Sequence, residues 1–287
     1  MNICRLVNTP IGERAYKLFE KQATLEAVGV FSEGVYCECN GELVVFHNPV
    51  WGVVPFGVGF RPDCQLGDKI SFVKNGLTVN DSFFCSDSEN EDGFVLKKPF
   101  DRNFAMPTAE RILAVEKYVA EKGSKIGVLD LYERNVRSFA SNVKELFSRL
   151  LSNGEDAAKY ALQFIGLGRG LTPSGDDFLC GMISLFFAAK RSGIAIPTAV
   201  NDIAKAVAEN LSLTTKISGA YLSSVVNDEY FTIYDNAACS LMLNEPFEEY
   251  TDFVLNLGAS SGSDTMFGAI FAARVLLLYA KNNHYKK

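Results

Sequence analysis

Residues 166–181 read Gly166-Leu-Gly-Arg-Gly-Leu-Thr-Pro-Ser-Gly-Asp-Asp-Phe-Leu-Cys-Gly181 and pass directly into an uncharged run that ends before Lys190. Such a run makes a helix that must be buried on most sides, so its polar start has to be satisfied from within the protein. Glycines at 166, 168 and 170 let the backbone approach a ligand or a neighbouring element closely, and Pro173 presets a dihedral compatible with a helix start. Ser174 with Asp177 three residues on has the capping-box form, with Asp standing for the usual Glu. First-turn amides, the positive end of the helix dipole, the Asp176 and Asp177 carboxylates and the Thr172 and Ser174 hydroxyls then meet at one elbow, with Arg169 and Gly175 beside it. An anionic or strongly polar substrate suits that place. Taken alone, ordinary helix capping explains the same residues.

A second copy shifts the balance. Ser260-Ser261-Gly262-Ser263-Asp264-Thr265-Met-Phe-Gly268 repeats the Ser-Gly-x-Asp-x-x-x-Gly pattern of Ser174, Gly175, Asp177 and Gly181, and it too enters a long apolar helix. Gly181 and Gly268 each fall one turn beyond the aspartate, where a missing side chain permits close helix contact. A third polar elbow, Thr214-Thr215-Lys216-Ile217-Ser218, sits between two apolar helical segments. Thr214 or Thr215 is its cap, while a lysine in a first helical turn opposes the dipole unless an anion lies nearby. The three elbows are expected to share one site. Asp176, Asp177, Asp264 and Lys216 are its catalytic candidates; Arg169, Thr172, Ser174, Gly175, Thr214, Thr215, Ser218, Ser260, Ser261, Gly262 and Thr265 are its substrate-binding candidates.

The remaining sequence divides at about residue 104. Before it, short alternating strands at 24–31, 34–39 and 42–47, with Asn40-Gly41 between the last two, are followed by 69–74 and 77–84 around Asn75-Gly76. A helix from about Pro10 to Gln22 capped by Thr9 precedes them, and the glycine-rich 51–60 stretch reads as bent strand in an ordinary core. An acidic turn at 86–93 lacks calcium-loop spacing. From Met106 onward the periodicity is helical throughout. The expected fold is α+β: a β-rich barrel-like or sandwich-like domain over 1–104 and an all-helical domain over 105–287. With 22% charged residues and a net charge of −6, no basic stripe is available for nucleic acid. Uncharged runs shorter than a bilayer span and an N-terminus without an apolar leader point to a cytoplasmic chain with no membrane partner. Seven scattered cysteines without a Cys-x-x-Cys and only two histidines, His47 and His284, give neither a disulfide framework nor a catalytic triad.

The three elbows together resemble the AllH-like family, which is associated with a subunit of oxamate carbamoyltransferase. Gly166–Asp177 is the specific part of that resemblance; Thr214-Thr215-x-x-Ser218 and Ser260–Asp264 complete its order, while Arg169 and Ala259 depart from the family pattern. The resemblance implies carbamoyl transfer between phosphate and the amide nitrogen of oxamate, in allantoin breakdown, by one component of a multi-subunit enzyme. Its substrates, oxamate, oxalurate and carbamoyl phosphate, are small anions. The Ser-Thr-Arg-Thr phosphate signature of familiar carbamoyltransferases is absent. No nucleotide fingerprint is present, and no cofactor is expected. Two other classes stay open: a magnesium-dependent phosphoryl-transfer enzyme using Asp176, Asp177 and Asp264, and a non-catalytic assembly subunit whose elbows are only capped helix starts.

Overall fold

In the computed structural model, which describes residues 4–6, 9–74, 76–80, 82–85, 94–96, 102–134 and 136–284, Asn40 (φ 50°) and Gly41 (φ 86°) close the two-residue turn foreseen from the sequence. Both left-handed residues match the twist of the flanking strands. Contacts divide the chain into two units, Met1–Phe100 with Tyr230–Thr232 and Asp101–Glu229 with Ile233–Lys287.

The first unit is β-rich. Its elements are β1 (Cys4–Arg5), β2 (Thr9–Ile11), α1 (Glu13–Glu20), β3 (Thr24–Val30), β4 (Gly34–Cys39), β5 (Glu42–His47), β6 (Gly57–Val58), β7 (Lys69–Val73), β8 (Gly76–Val79), β9 (Ser82–Cys85) and β10 (Phe94–Leu96). They form a curled sheet, a half-barrel, in the order β1-β9-β8-β7-β3-β4-β5-β6-β2-β10. Inward residues such as Leu25, Val35, Val44, Phe46, Ile70, Phe72 and Leu77 make the core with Ala15 and Leu18 of α1. Val53, Val54, Phe56 and Val58 are also buried, so the 51–60 stretch is core, as expected.

Two expectations need correction. Thr9 does not cap a helix; Thr9, Pro10 and Ile11 pair with β10, and the helix starts from Gly12, whose would-be Cβ would lie 2.0 Å from Val54 O. The stretch 77–84 is two strands, not one, because Asn80 turns the chain at φ 48°. Asn75 and the acidic 86–93 turn lie outside the described residues.

The second unit is helical: α2 (Ala109–Lys122), α3 (Val128–Glu133), α4 (Phe139–Ser152), α5 (Ala157–Ala161), α6 (Ser174–Arg191), α7 (Ala199–Glu209), α8 (Lys216–Val226), α9 (Thr232–Met242), α10 (Glu248–Leu255) and α11 (Ser261–His284). The short α3 was not foreseen. Buried α6 and α11 form the centre, with Phe186 and Leu276 both fully enclosed. They touch through backbone. A Cβ added at Gly181 would lie 2.0 Å from Thr265 O, and one at Gly268 would lie 2.0 Å from Phe178 O. No side chain fits either place, which explains why each copy of the motif ends in glycine. Beside this crossing the Phe178 ring packs against Phe164 (4.9 Å between centroids), Phe267 (5.9 Å) and Phe271 (5.4 Å). By length and composition α11 could cross a membrane, but its apolar window is 61% buried, in the manner of a core helix.

Candidate functional site

The start of α6 is built differently from a capping box. Ser174 is the first helical residue, Pro173 holds the cap position, and no side chain caps the helix. Gly175 N donates to Leu167 O (2.7 Å), while Asp176 N and Asp177 N donate to Pro173 O (2.9 and 3.2 Å). Pro173 and the preceding loop thus do the work assigned to Ser174 and Asp177, and the polar side chains are released for other contacts. That loop needs its glycines: Gly166, Gly168 and Gly170 all have positive φ.

Asp176 joins the first elbow to the third. Its carboxylate, fully enclosed, accepts from Gly166 N (2.8 Å), Ser218 Oγ (2.7 Å) and Thr214 Oγ1 (2.5 Å). Burial raises its pKa, and these three donors oppose the rise. Thr215 caps α8 by accepting from Ser218 N (3.0 Å), as foreseen, and also donates to Leu171 O. Gly166 is pressed against this elbow, since a Cβ there would lie 2.6 Å from Leu213 O.

On its other side the first elbow meets the second, and the two copies exchange partners. Ser261 of the second copy, with Thr172, lies beside Asp177 and favours its charged form; Ser174 of the first copy, with Ser260, does the same for Asp264. Thr172 Oγ1 and Ser261 Oγ are themselves 2.9 Å apart. The same reciprocity governs the glycines already described, and in a second set each copy's first glycine packs against the chain that precedes its own motif. A Cβ at Gly175 would lie 2.1 Å from Phe164 O, and one at Gly262 would lie 2.0 Å from Val254 O. An approximate local twofold therefore relates the copies and sets Asp177 against Asp264.

The facing carboxyls carry unusual electrostatics. Burial, then the neighbouring Asp264 charge, pushes Asp177 well above the ordinary carboxyl range, against the opposing hydrogen bonds of Ser261 and Thr172. Asp264 is raised by burial to about 6, opposed by the amide of Val128 and the hydroxyls of Ser174 and Ser260. Asp177 Oδ2, Asp264 Oδ2 and Thr265 Oγ1 are buried with no hydrogen-bond partner. Unpartnered buried acceptors of this kind are costly and rare away from functional sites. Of the other elbow residues, Gly168, Arg169, Gly170, Ala259 and Lys216 are exposed, and Thr172, Ser260 and Ser261 are half-buried.

The structure thus brings the three elbows together around the start of α6, with Asp176 facing the third and Asp177 facing the second. It revises one reason for expecting an anion there. The early amides are already committed: Gly262 N donates to Leu257 O (3.0 Å), Asp264 N to Ser260 O (2.9 Å), and Gly219 N to Thr215 O (2.8 Å), besides those of α6. Nor do the three aspartates converge, because Asp176 is turned away toward Gly166, Thr214 and Ser218. Among the described residues no group of three or more His, Cys, Asp or Glu is gathered to hold a metal.

Sequence reading missed the donor to Asp264. Val128 N, at the start of α3, reaches Asp264 Oδ1 at 2.6 Å, and a Cβ on Gly127 (φ 88°) would lie 2.4 Å from the same oxygen. Ser263 likewise accepts from Ser124 N (2.8 Å). The signal available was Gly123-Ser-Lys-Ile-Gly127, two glycines bracketing a link between helices. Cys180 and Tyr234 were also missed; both are buried close to Asp177, and burial drives both pKa values well up.

All three elbows lie within one recognisable segment. Residues 164–273 match the family described as oxamate carbamoyltransferase subunit AllH. The match to AllH spans α6, α8 and the first half of α11, and with them both copies of the repeated motif. The resemblance read from those motifs therefore holds over the segment that carries them, and AllH is by its description a subunit of a larger enzyme. No curated protein and no solved structure matches the chain.

Proposed function

We propose that this chain is the AllH component of an oxamate carbamoyltransferase, that it acts with other subunits, and that the Asp177–Asp264 pair takes part in the transfer. The observation that carries this reading is the pair itself: two buried, twofold-related carboxyls, each with one unpartnered oxygen. In the reaction the amide nitrogen of oxamate attacks the carbamoyl carbon of carbamoyl phosphate. A C–N bond forms, the C–O bond to phosphate breaks, and the attacking nitrogen gives up a proton. Asp264, raised to about 6, is ionised near neutral pH and accepts that proton. Asp177 stays protonated and donates a hydrogen bond to the oxygen that gains charge. Two adjoining carboxyls, one neutral and one charged, divide acid and base roles in this way. Arg169 and Lys216, exposed on the first and third elbows, hold the anionic ends of the substrates.

Asp177→Asn and Asp264→Asn in the assembled enzyme test the proposal. Each is expected to lower kcat by about a hundredfold or more while leaving the melting temperature at or above its original value. Loss of stability with turnover intact would instead make the carboxyls elements of assembly, the reading in which the elbows are only capped helix starts.

A further inference from the structure

A cavity of about 680 Å³ lies among α2, α3, α4 and α11, outside the meeting point of the elbows and touching it only at Ser263 and Asp264. One face of α11 forms its long wall, from Asp264 through Phe267, Ile270 and Phe271 to Arg274. Ten residues of helix make that wall about 15 Å long. The volume falls within the range of pockets that enclose a small molecule, and most of the wall surface is apolar. Its edge is different. Lys125 and Lys144 stand exposed there, Arg274 is paired with Glu116, and Ile126 leaves 59% of its surface open to solvent. Lys125, Lys144 and Arg274 outnumber the lining carboxyls Glu116 and Asp264 by one, on a chain of net charge −6. Oxamate and carbamoyl phosphate have no apolar body to fill such a space.

We infer that this cavity is a second binding site, for a small amphipathic anion: an apolar body held along α11 and a carboxylate or similar group at the lysine-bearing edge. Burial of the apolar body supplies the affinity, and the lysines select an anionic head over a neutral one. Because Asp264 forms one boundary of the cavity, a bound molecule there sits directly against the proposed reaction centre.

Hexanoate, octanoate and decanoate, titrated against the intact chain with the fluorescent anion 1-anilinonaphthalene-8-sulfonate as reporter, test the inference. The expected result is saturable one-to-one displacement whose affinity rises about fourfold per methylene. Ala120→Trp, at an exposed position on the cavity wall, should abolish binding of both probe and carboxylate with the melting temperature kept. Lys125→Glu with Lys144→Glu should weaken decanoate about tenfold or more but leave decanol within about twofold. Binding without dependence on chain length, or binding untouched by Ala120→Trp and by the lysine reversals, overturns the proposal. So does a groove that no carboxylate enters and that another enzyme subunit covers, since it is then a protein interface.

Discussion

Asp264 and Asp177 are both buried inside the protein, and burial disfavours the charged form of each. The consequence for stability has a definite sign. Asp264 is raised to about 6 when folded, against roughly 3.9 for an unfolded aspartate. A carboxyl raised in this direction binds its proton more tightly in the native state, so its contribution is full below about pH 4 and is lost as the pH climbs through about 6. The shift corresponds to about 3 kcal/mol. Urea unfolding from pH 4 to pH 8 should therefore show Asp264→Asn gaining on the unsubstituted protein by about that amount across the interval. A gap that does not change with pH would mean that the carboxyl is not held neutral by its surroundings. Asp176 differs in kind despite being next in sequence to Asp177. Three donors hold its oxygens, so it ties α8 to the glycine loop, and the sequence alone did not distinguish these adjacent aspartates. Helix geometry does: neighbouring residues on a helix point about 100° apart, so one carboxylate faces Thr214 and the other faces Ser261.

At the scale of elements, the crossing of α6 and α11 makes a prediction that runs against intrinsic propensity. Alanine is favoured over glycine inside a helix by about 1 kcal/mol. At Gly181 or Gly268 the new Cβ would meet a carbonyl oxygen at 2.0 Å, so the helices must separate and the buried ring cluster around Phe178 must open. Each substitution should cost more than about 2 kcal/mol in urea unfolding. Gly219 in α8 is the control: the nearest atom to its would-be Cβ is Leu211 O at 3.5 Å, and Gly219→Ala should be neutral or slightly stabilising. Equal effects at all three positions would remove close backbone packing as the reason for the glycines. This crossing was legible in the sequence because the spacing from aspartate to glycine is identical in both copies. The strands of β4 and β5 were legible because Asn40-Gly41 specifies one turn. What escaped was set by distant partners. Asn80 turns the chain where β propensity continues, Thr9 and Pro10 are drawn into the sheet by β10, and the α3 start exists to deliver Val128 N to Asp264. None of these has a local pattern that outweighs its neighbours.

For the molecule as a whole, an acidic chain is proposed to take anionic substrates, and screening decides how that conflict resolves. At physiological ionic strength charges farther apart than about 8 Å scarcely interact through solvent, so the net charge of −6 matters less than what stands at the opening itself. Arg169 and Lys216, exposed on elements that Asp176 fastens together, are the cations proposed to stand there. With early amides of the three helix starts committed, these two side chains are the proposed attraction for a carboxylate or phosphate. Arg169→Met and Lys216→Met in the assembled enzyme should each raise KM for oxamate or carbamoyl phosphate about tenfold while kcat changes little, the signature of lost substrate binding without lost transition-state contacts. The salt dependence of kcat/KM should also flatten, because the removed charges are exposed and therefore screened. Measuring both parameters at two salt concentrations separates these cations from the buried aspartates, whose substitution is expected to act on kcat. If either substitution lowers kcat and leaves KM unchanged, that side chain reaches the transferred group itself. If neither parameter moves for both, the anions enter elsewhere and the exposed face of the elbows is left to contacts with the other subunits.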